Sequence, residues 1–485
     1  MKKSVRKNYI YNLSFQIMTI LLPLVTAPYL SRILGVSGTG ISSYTLSIVS
    51  YFILFGSVGV ASYGQREIAM LRDHKEKYSV VFWELFFYKL FTTVLSVIAY
   101  IIFIGTQTDY TVIYMILTLN IFASALDISW FFQGLEEYKM ISFRNIIVKL
   151  IFTVSIFIFV KDAQDLNLYL LLNGLSLAIS SIALWIKVPK FVVKVPFKNL
   201  KVFRHTKDTL IYFLPQIATQ IYTVLDKTML GILTGSEIEN GYYEQANKII
   251  NISLTIITSL NTVLSPRMSY LFKSHKKDEL KSRLKRSLQF IAFLSIPMTF
   301  GLIAITPGFV SWFFGPGYEK VNILLPLFSP IIIIIALSNC LNGQCLTPCG
   351  KRGKSAIALW TGAIVNFTMN FFLISIYGSV GAVISSLVAE LIITLIYFYL
   401  SREYISIKYF FRCSWKNLIA GMVMFLFINY LVNEVTVSVF ATFIEIGLGA
   451  LLYFAVLFLL KDAFFLDTSM NILSSMKQHI FSKKK

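Results

Sequence analysis

The sequence predicts an all-α polytopic membrane protein of about fourteen transmembrane helices, arranged as two parallel six-helix lobes plus two extra C-terminal helices. Three observations point there. Of 485 residues, 56% are hydrophobic and only 14% are charged, with a mean hydropathy of +0.70; a soluble domain carries about 25% charged residues. Apolar runs of about 20 residues, enough to cross a bilayer, recur from one end of the chain to the other. These runs are too long for membrane β-strands and lack their two-residue alternation.

Taken in order, the expected spans are 8–33, 39–63, 79–104, 110–132, 142–160, 166–186, 209–233, 241–265, 287–313, 320–345, 355–377, 379–400, 417–433 and 437–460. The net charge of +20 supports this count through its placement. With "MKKSVRK" in the cytosol and these crossings, the inner segments hold all but a handful of the 44 Lys and Arg residues, and the outer loops hold Arg32, Lys161 and Lys320. The positive-inside rule predicts such a split, and one span more or fewer would abolish it. Both termini, including the final "KKK", are therefore expected in the cytosol. Topology explains the basic charge, so no nucleic-acid partner is expected.

Other chemistry finds little support. The first apolar run is too long for a cleavable signal peptide and lacks a small-residue cleavage site. Outer loops such as "GVSGTG", "KDAQDLN", "TGSEIENG" and "YGSVG" are too short to hold a soluble domain. Cys340, Cys345 and Cys349 in "NCLNGQCLTPCG", and Cys413 further on, have no histidine near them in sequence, so they are expected to be packing residues, with no metal site. His74, His205, His275 and His479 lie far apart in basic segments and are expected to be solvated. "PCGKRGKS" ends like a phosphate-binding loop, but Pro348 stands where that loop needs glycine. Neither a cofactor nor an enzymatic reaction is expected. The basic run "KSHKKDELKSRLKR", Lys273–Arg286, is either a helix lying along the anionic inner leaflet or a solvated link between spans.

The informative residues are the charges inside the spans, because an ionised side chain costs at least about 3 kcal/mol at bilayer depth. Glu84, Lys89, Asp127 and Lys149 fall in the expected inner half. Asp226, Lys227, Glu244 and Lys248 fall toward the outer half, with Arg32 at the outer end of the first span. Glu390 is near mid-depth and Glu445 in the outer half. Glu244 and Lys248, four apart, share a helix face. Asp226 and Lys227 point about 100° apart and cannot neutralise each other, so each needs a partner on another helix, water or a ligand. Taken together, these residues predict a hydrated cavity lined by charge.

A weak repeat gives the lobes. "PYLSRILGVSGTGISSYTLSIV" and "TVLDKTMLGILTGSEIENGYYEQANKII" both set a basic residue (Arg32, Lys227) ahead of "LG", then a glycine-rich turn, then a glycine opening the next helix (Gly40, Gly241). Six spans separate the copies, which implies parallel repeats about an axis along the membrane normal. The expected organisation is residues 1–190 as the N-terminal lobe, 191–208 as a basic linker, 209–402 as the C-terminal lobe, and 403–485 as helices 13 and 14 with a basic tail. Prolines 23, 28, 215, 297, 326 and 330 supply bends.

"SYGQREIAMLRD" (62–73), "DISWFFQGLEEYKMISFRNIIVKL" (127–150) and "LDKTMLG" (225–231) together resemble the polysaccharide repeat-unit flippases of the multidrug/oligosaccharidyl-lipid/polysaccharide exporter superfamily. The resemblance implies two six-helix lobes around a cavity that opens alternately to each side. It also implies a substrate, an undecaprenyl-pyrophosphate-linked oligosaccharide destined for capsule or another surface polysaccharide, and pathway partners: glycosyltransferases and a polymerase. Under it, Arg32, Lys227, Lys248, Lys89 and Lys149 are candidate pyrophosphate-binding cations. Asp226, Glu244, Asp127, Glu84 and Glu390 become candidate cavity or coupling carboxylates. Other readings are a cation-coupled drug exporter or a peptidoglycan-precursor flippase of the same superfamily and, more remotely, a membrane polymerase or acyltransferase.

Overall fold

The computed structural model describes the backbone of residues 5–470 and of residue 474. The first residues of "MKKSVRK", His479 and the terminal lysines lie outside the described residues. Among the described residues the chain is helical, with turns and no strand.

The helices are α1 (Val5–Ser57), α2 (Val60–Leu71), α3 (Lys75–Thr106), α4 (Thr111–Leu126), α5 (Ser129–Gly134), α6 (Tyr138–Phe159), α7 (Leu166–Trp185), α8 (Val188–Phe191) and α9 (Thr206–Thr234). There follow α10 (Glu237–Lys273), α11 (Lys277–Phe314), α12 (Val321–Phe328), α13 (Ile331–Cys340), α14 (Arg352–Tyr377), α15 (Ser379–Leu400), α16 (Ile407–Glu434) and α17 (Val439–Leu459). Eleven helical segments among the described residues are long and apolar enough to span a membrane. Fourteen remains the expectation of the sequence. Part of the difference has an identifiable source: one segment, Leu21–Leu71, runs through both of the first two expected spans.

The expected outer turn "GVSGTG" is shorter than the sequence implies. α1 is helical on both sides of a single break at Gly35 (φ 65°, ψ −175°), a conformation open to glycine because it has no Cβ. The chain divides into two compact units, Met1–Gly241 and Tyr242–Lys485. The first includes α9, which packs on α1 and α2, although α9 follows the basic linker at which the sequence expects its lobe boundary.

In the first unit, α3, α5 and α7 meet through aromatic rings. Phe82, fully buried, lies 4.7 Å from Phe131, 5.9 Å from Trp130 and 6.1 Å from Trp185, centroid to centroid. In a bilayer such van der Waals fit, rather than exclusion of water, holds helices together. In the second unit, α14 and α15 form a hairpin turned at Gly378 (φ 58°, ψ −130°), and α16 and α17 pack on α11. Tyr453 of α17 locks that group: its hydroxyl bonds Asn417 Oδ1 (2.7 Å) and the Phe293 carbonyl (3.0 Å).

Candidate functional site

The intramembrane charges resolve into separate groups. On α3, Glu84 is fully buried and satisfied on both oxygens. Oε1 accepts the Lys201 backbone N–H (2.8 Å), while Oε2 lies 2.7 Å from the Arg204 guanidinium and 3.0 Å from His205 Nε2. The Tyr63 hydroxyl pairs with His205 Nδ1 at 2.9 Å. His205 is thus 5% exposed, which corrects the expectation of a solvated loop histidine; His74 and His275 are exposed as expected. The physical reason is Glu84 itself. A desolvated carboxylate needs several donors, and the short turn Val202–His205 delivers them at the start of α9.

Five residues on, Lys89 is 4% exposed and donates to the Asp127 carbonyl at 3.0 Å. Asp127 is the C-terminal cap of α4, so the ammonium sits where the helix dipole favours a cation. The Asp127 carboxylate turns the chain into α5 by accepting from the Ser129 N–H (3.0 Å) and hydroxyl. Arg144 on α6 reaches the same place: it donates to Ser129 Oγ (3.4 Å), Asn145 Oδ1 (2.7 Å) and the Ser180 carbonyl. Lys89 and Asp127 therefore meet, and Arg144, overlooked because it falls near a span end, joins them. Lys149 is half-buried further along α6, and Glu84 belongs to its own cluster.

α9 carries Asp226 and Lys227 against α1. Asp226 is 3% exposed and Lys227 half-buried, as their divergent directions require. The next residue makes the junction: Thr228 Oγ1 shares hydrogen bonds with Ser47 Oγ (2.9 Å) and the Tyr51 hydroxyl (3.1 Å). Beyond it α1 comes closer to the end of α9 and the start of α10 than side chains permit. A Cβ at Gly231 would run into the Tyr44 ring, one at Gly40 into the Glu237 carbonyl, and one at Gly241 into the Val36 carbonyl. The Tyr110 hydroxyl bonds Glu237 at the same end. Asn240 is fully buried there, and neither of its side-chain polar atoms has a hydrogen-bond partner. Arg32 is exposed on α1, three residues before the Gly35 break.

In the second unit, Glu244 and Lys248 are both half-buried on α10, and Lys248 Nζ donates to Gln245 Oε1 (3.3 Å). Glu390 on α15 is 4% exposed. The same hairpin buries an uncharged polar ladder: Asn370 Nδ2 donates to Asn366 Oδ1 (3.1 Å), and Asn366 Nδ2 reaches Ser386 Oγ (3.5 Å). Counting ionisable residues passes over these amides; their signal is the four-residue spacing inside an apolar run. Cys340 and Cys345 are buried, Cys349 and Cys413 half-buried. The "PCGKRGKS" segment follows a π-helical turn, Leu341–Leu346, instead of a strand.

Comparison with known proteins adds independent findings. A family model described as polysaccharide biosynthesis protein matches residues 5–272, and the MatE model matches 212–372. A protein of Escherichia coli (strain K12) named "Putative O-antigen transporter" is 26% identical over 398 residues, 81% of this chain and 95% of its own. A Staphylococcus aureus protein named "Capsular polysaccharide biosynthesis protein CapF" is 21% identical over 82% of this chain and 99% of its own. Among solved structures, a lipid II flippase MurJ in an inward closed conformation superposes with TM-score 0.72 at 16% identity, covering 93% of this chain and 97% of that one. An inward-facing multidrug transporter of the MATE family gives TM-score 0.60 at 14% identity, covering 81% and 97%. At these identities the structures establish a shared fold.

Proposed function

The chain belongs to the polysaccharide biosynthesis protein family, and from that premise we propose that it is a flippase moving lipid-linked oligosaccharide repeat units across the bacterial cytoplasmic membrane. The observation that carries the reading is the placement of costly cations inside long helices expected to span the membrane, in a chain with this family membership. Lys89, Lys149, Lys227 and Lys248 each lie within a long helix and are buried or half-buried. A cation kept at such depth needs a compensating anion or water, and a pyrophosphate is an anion that enters and leaves.

In this proposal the substrate is an oligosaccharide on undecaprenyl pyrophosphate, made by glycosyltransferases on the cytosolic side and handed to a polymerase on the other. The protein moves its substrate without covalent chemistry. Two six-helix lobes, 1–190 and 209–402, expose the site alternately, with both termini cytosolic as the charge distribution requires. Arg32, Lys227 and Lys248 receive the pyrophosphate toward the outside, Lys89 and Lys149 toward the inside. Asp226, Glu244 and Asp127 hold those cations when substrate is absent, and Glu84 and Glu390 act as further acidic positions. Lys89 takes part only by giving up the Asp127 carbonyl, so Lys227 and Arg32 are the better first contacts. The purified protein in liposomes should expose lipid-linked oligosaccharide on the far leaflet, and Lys227→Ala should slow this about tenfold or more while still inserting. Wild-type rates in both Lys227→Ala and Arg32→Ala would remove the site assignment.

Lipid II is the second reading, favoured by the extent of the fold shared with MurJ. Offering both substrates in one liposome assay decides between them, and a preference for lipid II would overturn the repeat-unit reading.

A further inference from the structure

We propose that a cavity between the end of α10, the start of α11 and the helical segment 463–470 binds one anionic phospholipid of the cytoplasmic leaflet. The cavity measures about 380 Å³, within the range of small-molecule sites. Its walls are almost wholly apolar, from Leu264, Phe290 and Phe464, and its rim carries Arg283 and Arg286 from one turn of α11. Thr468 also lines it, with a buried hydroxyl that has no hydrogen-bond partner.

The wall formed by residues 463–470 is held by aromatic packing. Phe293 of α11 stacks against Phe464 (5.6 Å) and Phe465 (6.3 Å), and Phe465 lies parallel to Phe454 of α17 at 5.7 Å. Asp462 Oδ1 accepts the Phe465 N–H (2.9 Å) and caps the segment that forms the wall. Glu279 bridges Arg267 (3.5 Å) of α10 and Arg283 (3.0 Å) of α11. Ser287 is already committed, donating to Gln344 Oε1 at 2.7 Å. Thr468 is therefore the lining hydroxyl still able to donate to a ligand oxygen.

The chemistry selects an amphiphile. Water gains few partners inside apolar walls, so the interior suits an acyl chain. Two guanidinium groups a turn apart suit a phosphate, whose oxygens match their planar donors. A free phosphate would leave the apolar volume unfilled, and a neutral lipid would leave Arg286 without an anion, Arg283 already sharing Glu279. The site lies at the end of the basic run Lys273–Arg286, where the expected topology places anionic headgroups. The inference rests on the proposed membrane orientation and is independent of which glycan is moved.

The test uses the full-length protein reconstituted with photoactivatable phosphatidylglycerol or with phosphatidylcholine carrying the same acyl chains. Labelling of peptides containing Phe290 or Phe464 should be about tenfold stronger with phosphatidylglycerol. The double variant Arg283→Gln/Arg286→Gln should reduce it to the phosphatidylcholine level, and Leu264→Trp should abolish it by filling the cavity, each with an unchanged thermal unfolding midpoint. Should either variant unfold, wild-type labelling challenged with excess unlabelled lipid serves instead: phosphatidylglycerol should compete and inorganic phosphate should not. Equal labelling by both lipids, no labelling, or displacement by undecaprenyl phosphate overturns the proposal, the last by assigning the cavity to the transported lipid. Because the readout is labelling, a failed transport assay leaves this result standing.

Discussion

The two ends of α9 are held by different physics. At its first turn, His205 and Arg204 join Lys201 and Tyr63 around the buried Glu84, and every polar atom of the carboxylate is matched. At its last turns, Gly231 lies against Tyr44, and Gly40 and Gly241 flank the crossing that follows, with backbone against backbone and Asn240 buried without a partner. The first end is specified by charge, the second by the absence of side chains. A charge cluster is costly to break but forms only with all of its partners. A glycine crossing tolerates separation, since its helices lose only close packing, and the orphan amide of Asn240 would gain hydrogen bonds from water on opening. In an alternating-access protein the end with the unmet polar group is the one poised to separate.

The comparison can be broken most severely at Gly40. Gly40→Val forces a branched side chain into the Glu237 carbonyl, where backbone cannot yield. Overpacking costs about 1–3 kcal/mol or more, so loss of surface-polymer complementation and a thermal midpoint several degrees lower are expected. Wild-type behaviour would mean the helices do not approach as described. Next in size is Glu84→Ala, which leaves Arg204 and His205 facing a desolvated void. Removing one partner of a buried pair costs about 3–5 kcal/mol, partly offset here because Arg204 is half-exposed. Glu84→Gln should lose less, since an amide oxygen still accepts from Lys201. Equal thermal midpoints for the two variants would show that charge is not what holds this end.

Smaller and opposite in sign is Asn240→Leu. Replacing an unsatisfied buried amide should raise stability by about 1–3 kcal/mol and slow flipping by favouring the closed crossing. Faster flipping would assign Asn240 a different role. The mildest change is Thr228→Val, which removes the hydroxyl shared with Ser47 and Tyr51 and should cost about 1 kcal/mol, the net value of one hydrogen bond, with insertion unaffected. A loss as large as that of Glu84→Ala would make this neutral junction as strong an anchor as the charge cluster and erase the contrast.

Much of this was legible beforehand. The hairpin 355–377/379–400 appears within a few residues as α14 and α15, because apolar runs ended by Gly378 leave little choice. The divergent facing of Asp226 and Lys227, about 100° apart, follows from helical geometry, and their unequal burial agrees with it. Other features were not legible. His205 looked like one more residue in a basic loop, since nothing local announces that Glu84, 121 positions away, lies 3.0 Å from it. Arg144 and the Asn366–Asn370–Ser386 ladder escaped for a related reason: a count of buried charges does not see amides or residues near a span end.

By itself, then, the sequence determined that this chain is a bundle of membrane-crossing helices with charges at depth, and its motifs pointed to the family. Hydropathy and helical periodicity are local properties, and a bilayer leaves little other than a helix for a long apolar run. Only the tertiary structure decided which charges meet. Lys89 donates to the carbonyl that caps α4, and Glu84 binds the start of α9. The physical reason is that desolvation makes a buried charge take whichever donor or acceptor the fold brings within about 3 Å, and that partner is set by helix packing across more than a hundred residues of sequence.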